Sequence, residues 1–420
     1  MTQPFSAERT PGSRLSPALG LIDATAIGLG AIIGGGIFIV TGIVAGLAGP
    51  ALVLSIILAA AISLFTALSF IELTEWRPAE GSVYVYSRSV LSPFAGFLSG
   101  WMWITSNIFT GAAVALGIAH YMQSLLPGVN PKWISVLLCL AFTLLNLVGV
   151  KHSAQVNNVL VGAKVIVLLL FVVVGAFHFK PVHFTPFFTS ATGVFRGAFF
   201  IFFAFAGFAR VSIVAEEVKN ARKTVPRSII LALVLSALIY IAVSTVALGL
   251  VGSSRLAGSK SPLAEAIRIV GSPALVYAVS LGGMLAMASV LLTSILGISR
   301  MIFAMARERD LPFLLGRLHP KYHTPHFPIL IAGAGCALIS SFFDLTAVVA
   351  VSTFATLFNY SLANASALRL NIEPRAYPRI IPISGLLLCF FLMLFVQAHS
   401  LVAGMICLLL GVFYYFASKR

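Results

Sequence analysis

Long apolar segments recur along almost the whole chain and are separated by short polar loops. A helix of about 20 predominantly apolar residues crosses the hydrocarbon region of a bilayer, which is about 30 Å thick. Of the 420 residues, 59% are hydrophobic and only 9% are charged, whereas an ordinary soluble domain carries about 25% charged residues. A soluble core does not need so much apolar surface. The segments therefore predict an all-α membrane protein.

We count twelve apolar segments and expect twelve transmembrane helices, numbered here span 1 to span 12. Residues 1–20 are polar and contain proline, so we expect them to form a cytoplasmic tail without a cleaved signal peptide, with span 1 as the insertion signal. The predicted spans are 21–46, 50–71, 90–121, 133–150, 156–178, 193–215, 228–251, 273–302, 328–343, 345–367, 379–396 and 399–417.

Positive charges are distributed unevenly between the two sides of the predicted membrane protein. The formal net charge is +15, and most of the 27 lysine and arginine residues fall on the side that also holds both termini. Cytoplasmic loops carry such an excess, so we expect a multi-pass protein of the cell membrane with both termini in the cytoplasm. The charge requires no nucleic-acid partner. The opposite side holds only Lys132, Lys180, Arg255, Lys260 and Arg268.

Span 1 contains a run of glycines in its centre. Residues 28–42 read GLGAIIGGGIFIVTG, and each interior glycine costs a helix about 1 kcal/mol relative to alanine. Three in succession at Gly34, Gly35 and Gly36 predict a break in the helix. Glycines four residues apart, such as Gly30 and Gly34, are also typical of close helix packing, which is the alternative interpretation.

Span 6 shows a weaker signal of the same kind. From Phe199 to Phe208 it holds six phenylalanines, and Gly207 interrupts the apolar run. Span 6 begins a second group of five spans just as span 1 begins the first, and an odd number of spans per group inverts the second group. Interrupted helices at matching positions of two inverted halves predict a transport site near the membrane midplane.

A broken membrane helix has a chemical use. The break frees backbone N–H and C=O groups that lipid does not tolerate but that a buried polar ligand satisfies. The N-terminal end of a half-helix favours a carboxylate, and the carbonyls at a C-terminal end favour an ammonium group. The two breaks together therefore predict a zwitterionic ligand such as an amino acid.

Four motifs in order carry a resemblance to a known family. They are GLGAIIGGGIF in span 1, AEGSVYVYSRSVLSPFAGFLSGW from Ala79 to Trp101, FFAFAGF with AEEVKNARKTVPRSI in and after span 6, and SRMIFAMARERDLP from Ser299 to Pro312. With these motifs the chain resembles the amino acid–polyamine–organocation superfamily of secondary transporters. The resemblance implies alternating access without ATP, and the five-plus-five inverted-repeat fold of the bacterial leucine transporter. Its repeats would be 21–178 and 193–367, with 379–417 as two extra C-terminal helices.

The resemblance also implies where a substrate would bind. The substrate carboxylate would meet the backbone of the glycine run, and its amine would meet carbonyls in both breaks. An aromatic residue of span 6 would cover the substrate, and Asn107 in span 3 is a candidate for side-chain selection. The alternative for the phenylalanines is lipid contact or core packing. The implied substrate-binding residues are Ile32, Gly34, Gly35, Gly36, Asn107, Phe203, Phe205, Ala206 and Gly207, with Phe208 as a further lining candidate.

Two positions depart from the family pattern. Gly35 stands where relatives often have a serine, and Ala209 followed by Arg210 stands where many have an acidic residue. The missing carboxylate disfavours cationic substrates and favours neutral amino acids. For Arg210 two interpretations stay open: it faces a cytoplasmic vestibule, or it pairs with Glu216 or Glu217.

Lys164 lies deep in span 5, roughly 13 Å from its cytoplasmic start at 1.5 Å per residue. A charged lysine near the midplane costs about 2.5–3.5 kcal/mol, so it should face the protein interior. In sodium-independent relatives a lysine of span 5 replaces the coupling ion between spans 1 and 8, which implies proton coupling and symport. The alternative is a permanently charged lysine that bridges helices, as an exchanger could use. The implied ion-coupling residues are Lys164, Ile33, Thr293 and Ser294, with Ile32 at the edge of the region.

The remaining polar residues predict no catalysis, metal or cofactor. The four cysteines fall within spans at no metal-ligand spacing. We expect His319, His323 and His326 to lie in a solvated loop, and likewise Glu72, Glu75, Arg77 and Glu80. An enzyme would need paired acids, a metal cluster or a nucleophile with a base. A non-transporting amino acid sensor stays open, because it would use the same site.

Overall fold

A computed structural model describes residues 19–76, 82–149, 154–213, 218–320, 322, 324–371 and 375–419. Their secondary structure is helical apart from one isolated bridge between Leu19 and Val218. The α-helices are α1 (Leu21–Ile32), α2 (Gly35–Ala48), α3 (Leu52–Trp76), α4 (Ser82–Val90), α5 (Pro93–Leu125), α6 (Pro131–Val148), α7 (Ala154–Ala176), α8 (Ala191–Phe205), α9 (Arg210–Ile213), α10 (Ala221–Ala257), α11 (Pro262–Ile267), α12 (Pro273–Arg307), α13 (His326–Phe342), α14 (Leu345–Arg369), α15 (Ile380–Met393) and α16 (Ala398–Ser418).

The all-helical membrane architecture predicted from the sequence is confirmed. In the described part of the chain, nine helices are long and apolar enough to cross a membrane when Gly35–Trp76 is counted as one, and three shorter apolar helices accompany them. Each predicted span corresponds to at least one helix, although α10 is longer than span 7 at both ends. The count of twelve crossings and the inverted repeat stay predictions.

The break predicted in span 1 is present. Helix α1 ends at Ile32 and α2 begins at Gly35, so that only Ile33 and Gly34 lie between the two helices. The Gly34 backbone has φ −112° and ψ −139°, well outside the helical region. No side chain caps the N-terminus of α2, which is buried inside the bundle.

The interruption in span 6 is tighter than expected. The chain does not unwind there but continues from α8 through a 3₁₀ turn, Ala206–Ala209, into the short helix α9. A 3₁₀ turn shifts the hydrogen-bonding register and leaves helical carbonyls without their usual partners. Span 6 thus changes its type of helix at the interruption, whereas in span 1 one helix ends at Ile32 and another begins at Gly35.

The two interruptions pack directly against each other. A Cβ atom at Gly36 would lie 2.5 Å from the Cα of Ala204, and one at Gly207 would lie 2.7 Å from the backbone nitrogen of Ile32. Real Cβ atoms essentially never approach this closely. Glycine at these two positions therefore allows the backbones of spans 1 and 6 to touch.

A polar cluster joins α4 to the turn after α12. The carboxylate of Asp310 accepts hydrogen bonds from the Tyr84 hydroxyl at 2.8 Å and from the Arg88 guanidinium at 2.5 Å. Asp310 is buried, whereas Arg88 is partly exposed. The cluster connects the second and fourth motifs of the sequence, which lie more than 200 positions apart.

Candidate substrate and coupling site

The carbonyl oxygen of Ile32 stands at the C-terminal end of α1, inside the break. It accepts a hydrogen bond from the Gly34 N–H at 2.8 Å and another from the Tyr240 hydroxyl of α10 at 2.6 Å. A carbonyl has two lone pairs, so both acceptor positions of Ile32 are occupied. A substrate amine predicted to bind here would have to displace one of these donors.

A second tyrosine makes the equivalent contact in span 6. The Tyr360 hydroxyl of α14 donates to the carbonyl of Ala206 at 2.5 Å, and the Tyr240 hydroxyl also lies 3.2 Å from the carbonyl of Ala204. The sequence reasoning missed both tyrosines. The sequence did contain a signal for these contacts, namely a tyrosine within an apolar helix. A buried tyrosine hydroxyl usually has a hydrogen-bond partner, so each tyrosine could have been expected to bond inside the protein.

Side chains of neighbouring helices fill the space around the glycine run. A Cβ at Gly34 would lie 2.5 Å from Val290, and one at Gly35 would lie 2.7 Å from Val114 and 3.0 Å from Met287. These contacts agree with the packing interpretation of the glycines. They do not test the predicted contact between these glycines and a substrate carboxylate, which stays a prediction.

The three candidate phenylalanines of span 6 differ in their surroundings. Phe205 is fully buried with its ring centroid 5.2 Å from that of Tyr240, and Phe208 lies equally close to Tyr360. Phe203 retains 8% exposure. Phe205 and Phe208 therefore pack in the core, and of the three only Phe203 has a small solvent-accessible surface. Asn107 is half-buried and donates to the Trp103 carbonyl of its own helix at 2.9 Å, so no described contact links it to either break.

Lys164 of α7 is 2% exposed and faces the interior, as its depth predicted. Its ammonium group donates to the Ser289 hydroxyl of α12 at 2.6 Å and to the Gly30 carbonyl of α1 at 3.4 Å. The lysine bridges the expected helices, but its partners lie about one turn from those predicted. The Ile32 carbonyl already has two donors, and the Thr293 hydroxyl accepts from a different side chain.

That other side chain is Arg210, the first residue of α9. Its Nη1 donates to the Thr293 hydroxyl at 2.6 Å, and the arginine is half-buried. Glu216 and Glu217, the alternative partners, lie outside the described residues. Ser294, the remaining predicted coupling residue, is buried, and its hydroxyl has no hydrogen-bond partner among the described residues.

Glu72 departs from the sequence prediction of a solvated loop. It belongs to α3, is 2% exposed and forms an ion pair with Arg375 at 3.2 Å. The prediction was wrong because α3 continues to Trp76, five residues beyond span 2. Glu75 lies on the same helix, and Arg77 and Glu80 lie outside the described residues.

Histidine and cysteine give no metal site in the part of the chain that the structure describes. No group of three His, Cys, Asp or Glu side chains there could hold a metal ion. All four cysteines are free thiols, and three of them are buried. The rings of His319 and His326 lie 5.4 Å apart, while His323 is outside the described residues.

A cavity of about 370 Å³ reaches α2 beyond the break. Its walls include Ile39 and Ile43 of α2, the segment 257–260, the segment 344–347 and His399. At the opposite end of span 1, the Lys219 N–H donates to the Leu19 carbonyl at 2.9 Å. The cavity and this backbone contact thus lie towards opposite ends of span 1.

These features define a class of protein: a multi-pass helical membrane protein with two interrupted helices in contact and a buried lysine beside them. The profile of a family described as amino acid permease matches residues 19–413, and the chain belongs to this family, within the amino acid–polyamine–organocation superfamily.

Curated relatives agree with this assignment. A branched-chain amino acid permease of Bacillus subtilis (strain 168) is 34% identical over 97% of this chain and 94% of its own length. A methylthioribose transporter of the same strain is 32% identical with the same coverage of both chains. Cationic amino acid transporter 4 of Mus musculus is 30% identical over 88% of this chain and 62% of its own length.

Proposed function

We propose that the protein imports neutral α-amino acids across the cell membrane as a secondary active transporter that works by alternating access. The observation that carries the proposal is the buried N-terminus of α2, which no side chain caps. The first N–H groups of a helix lack partners within the helix and attract negative charge. A substrate carboxylate would supply the missing acceptor at Gly34–Gly36.

The substrate amine would bind on the other side of the break, at the C-terminal end of α1. The carbonyls of Ile32 and Ala206 each accept a tyrosine hydroxyl, so these two positions already act as acceptors for an O–H donor. An ammonium group has three N–H donors and would replace or share the tyrosine contacts. The carbonyl of Phe203 is the third proposed acceptor, and the accessible Phe203 ring would cover the substrate.

Charge near the site favours a neutral side chain. Lys164 and Arg210 both bond to α12 beside the interruptions, and neither forms a salt bridge with a described acidic residue. A lysine, arginine or polyamine substrate would bring a further positive charge to this region. One relative is named for branched-chain amino acids and another for cationic amino acids. The local charge supports the neutral class for this chain.

Proton coupling is the second part of the proposal, and Lys164 is its carrier. The lysine contacts α1 and α12 at once, so a relative movement of these helices would change the stabilisation of its charge. A buried ammonium group loses its proton more readily than an exposed one when such stabilisation is removed. Alternating exposure would then let Lys164 gain and release a proton in each transport cycle.

Uptake into proteoliposomes tests both parts. We expect the parent to accumulate L-alanine or L-leucine in sodium-free buffer under an inward proton gradient and without nucleotide. L-Alanine esters and amines that lack a carboxylate should compete poorly. Lys164→Ala should abolish the response to the proton gradient. A strict sodium requirement, or competition by polyamines alone, would contradict the proposal.

Amino acid exchange is the alternative that one observation favours. Lys164 has partners on both sides, which also suits a lysine that stays charged and bridges helices. An exchanger would take up labelled substrate only into vesicles preloaded with amino acid, and its rate would not respond to the proton gradient. A non-transporting sensor would bind substrate without accumulating it under either condition.

A further inference from the structure

Two positively charged side chains meet on one face of α12. The Lys164 ammonium group donates to the Ser289 hydroxyl, and the Arg210 guanidinium donates to the Thr293 hydroxyl, both at 2.6 Å. Ser289 and Thr293 are one turn apart, a rise of about 6 Å. The Thr293 hydroxyl in turn donates to the Ser289 carbonyl at 2.9 Å. The two cations therefore bind hydroxyl groups one turn apart on the same helix.

No acidic side chain balances these charges in the part of the protein that the structure describes. The ion pairs found there involve Arg88, Arg255, Arg268 and Arg375, but neither Lys164 nor Arg210. Uncompensated charge inside a membrane protein is costly, and a second charge of the same sign adds repulsion. A bound negative charge would reduce both costs.

Arg210 has the capacity to bind such a charge. A guanidinium carries five N–H donors in a planar fork that suits carboxylates and other anions. The hydrogen bond to Thr293 uses one of them. The arginine is half-buried, whereas Lys164 is almost completely buried.

The position of Arg210 connects this charge to the substrate region. It directly follows the 3₁₀ turn Ala206–Ala209, whose first carbonyl accepts from Tyr360. An anion on Arg210 would thus lie on the α9 side of the span 6 interruption. That location differs from the place proposed for the substrate α-carboxylate.

We propose that Arg210, supported by Lys164, forms a binding site for one small monovalent anion, supplied either by a free halide or by the side-chain carboxylate of an acidic amino acid. The halide source is independent of the function proposed above. The carboxylate source rests on the proposed transport site and would extend its substrates from neutral to acidic amino acids, because the α-amino and α-carboxyl groups of that ligand would occupy the two helix interruptions.

Thermal unfolding of the purified full-length protein in detergent tests the site. Chloride replaces gluconate at constant ionic strength in one titration, and L-aspartate is added in chloride-free buffer in another. We expect a saturable rise in Tm of the parent with at least one of these anions. Arg210→Gln should weaken the apparent affinity about tenfold or more, because a charge-assisted hydrogen bond is lost.

Arg196→Gln is the matched control, since Arg196 lies on the same span in α8 and is exposed. It should respond as the parent does. Thr293→Val serves as the second variant if Arg210→Gln does not fold, and it should also weaken anion binding because it removes the hydroxyl that positions Arg210. A response to chloride alone identifies the free ion, and a response to L-aspartate alone identifies the side-chain carboxylate.

The inference is overturned if neither anion raises the Tm of the parent, or if Arg210→Gln keeps the parent's response. L-Alanine added to the same parent sample tests the substrate site separately. A Tm rise with L-alanine but with neither anion would reject the anion site alone, whereas no rise with L-alanine would count against the proposed function.

Discussion

The hydroxyl of Tyr240 lies 2.6 Å from the carbonyl oxygen of Ile32, where α1 ends inside the protein. Helix ends leave carbonyls without intrahelical partners, and a buried one needs a donor from elsewhere. Tyr240 supplies that donor from α10, and its ring packs on Phe205 of span 6. One side chain therefore satisfies the break in span 1 and contacts the span that carries the second interruption.

Tyr240→Phe should lower stability by about 1 kcal/mol, because the ring contact stays but the buried Ile32 carbonyl loses a hydrogen bond. Thermal unfolding in detergent measures the effect. Tyr277→Phe is the control, since Tyr277 of α12 is exposed. Equal Tm values for the two variants would show that the Tyr240 hydroxyl does not stabilise the break.

Gly36→Ala should disrupt the contact between spans 1 and 6. The new methyl group would meet the backbone of Ala204 at 2.5 Å, and backbone cannot move aside as a flexible side chain can. Overpacking of this kind costs about 1–3 kcal/mol, and we expect a lower Tm and reduced uptake.

Gly162→Ala provides the opposite comparison for Gly36→Ala. Gly162 lies within α7, and no heavy atom lies within 4 Å of its Cβ position. Alanine should be neutral there or stabilise the helix by up to about 1 kcal/mol. If Gly36→Ala were as stable and active as Gly162→Ala, the close packing of the two interruptions would be unimportant.

Ser289→Ala should weaken proton-driven uptake, because Lys164 would lose the shorter of its two hydrogen bonds and keep only the 3.4 Å contact with Gly30. Hydrogen bonds to charged groups contribute about 1.5–3 kcal/mol, so we expect the gradient-dependent rate to fall about tenfold. Ser280→Ala is the matched control, since Ser280 is also buried on α12 and its hydroxyl has no hydrogen bond among the described residues. A similar loss in both variants would remove Ser289 from the coupling site.

Tyr84→Phe should change the pH dependence of stability at alkaline pH. Burial, together with the hydrogen bond to Asp310, raises the pKa of the Tyr84 hydroxyl above its ordinary value. The unfolded chain releases this proton near pH 10 while the folded protein retains it. The contribution of Tyr84 is therefore complete below about pH 10 and decreases as the pH rises further. The stability difference between the parent and Tyr84→Phe should shrink above that pH, and a constant difference would contradict this linkage.

The sequence was sufficient for features set by local chemistry. Apolar length predicted the membrane helices, consecutive glycines predicted the break after Ile32, and the depth of Lys164 predicted that it faces the interior. Each of these follows from the cost of placing one type of residue in one environment, and no knowledge of distant contacts is needed.

Features that depend on contacts between distant residues could not be predicted. Tyr240 and Tyr360 are ordinary residues of apolar helices until packing brings their hydroxyls to Ile32 and Ala206. Similarly, Lys164 bonds to Ser289, whereas Arg210 bonds to Thr293. Which of several possible donors reaches an acceptor is decided by the rotation and height of each helix, which residue spacing alone does not determine.

The hydrogen bonds at the two ends of α1 have a mechanical consequence. Leu19, just before α1, accepts from Lys219, which lies two residues before α10, and Ile32 at the other end accepts from Tyr240 within α10. Because α1 is attached to α10 or the residues just before it at both of its ends, we expect α1 and α10 to tilt together. Any movement of α1 relative to α2 would then take place at Ile33 and Gly34, the two residues between them.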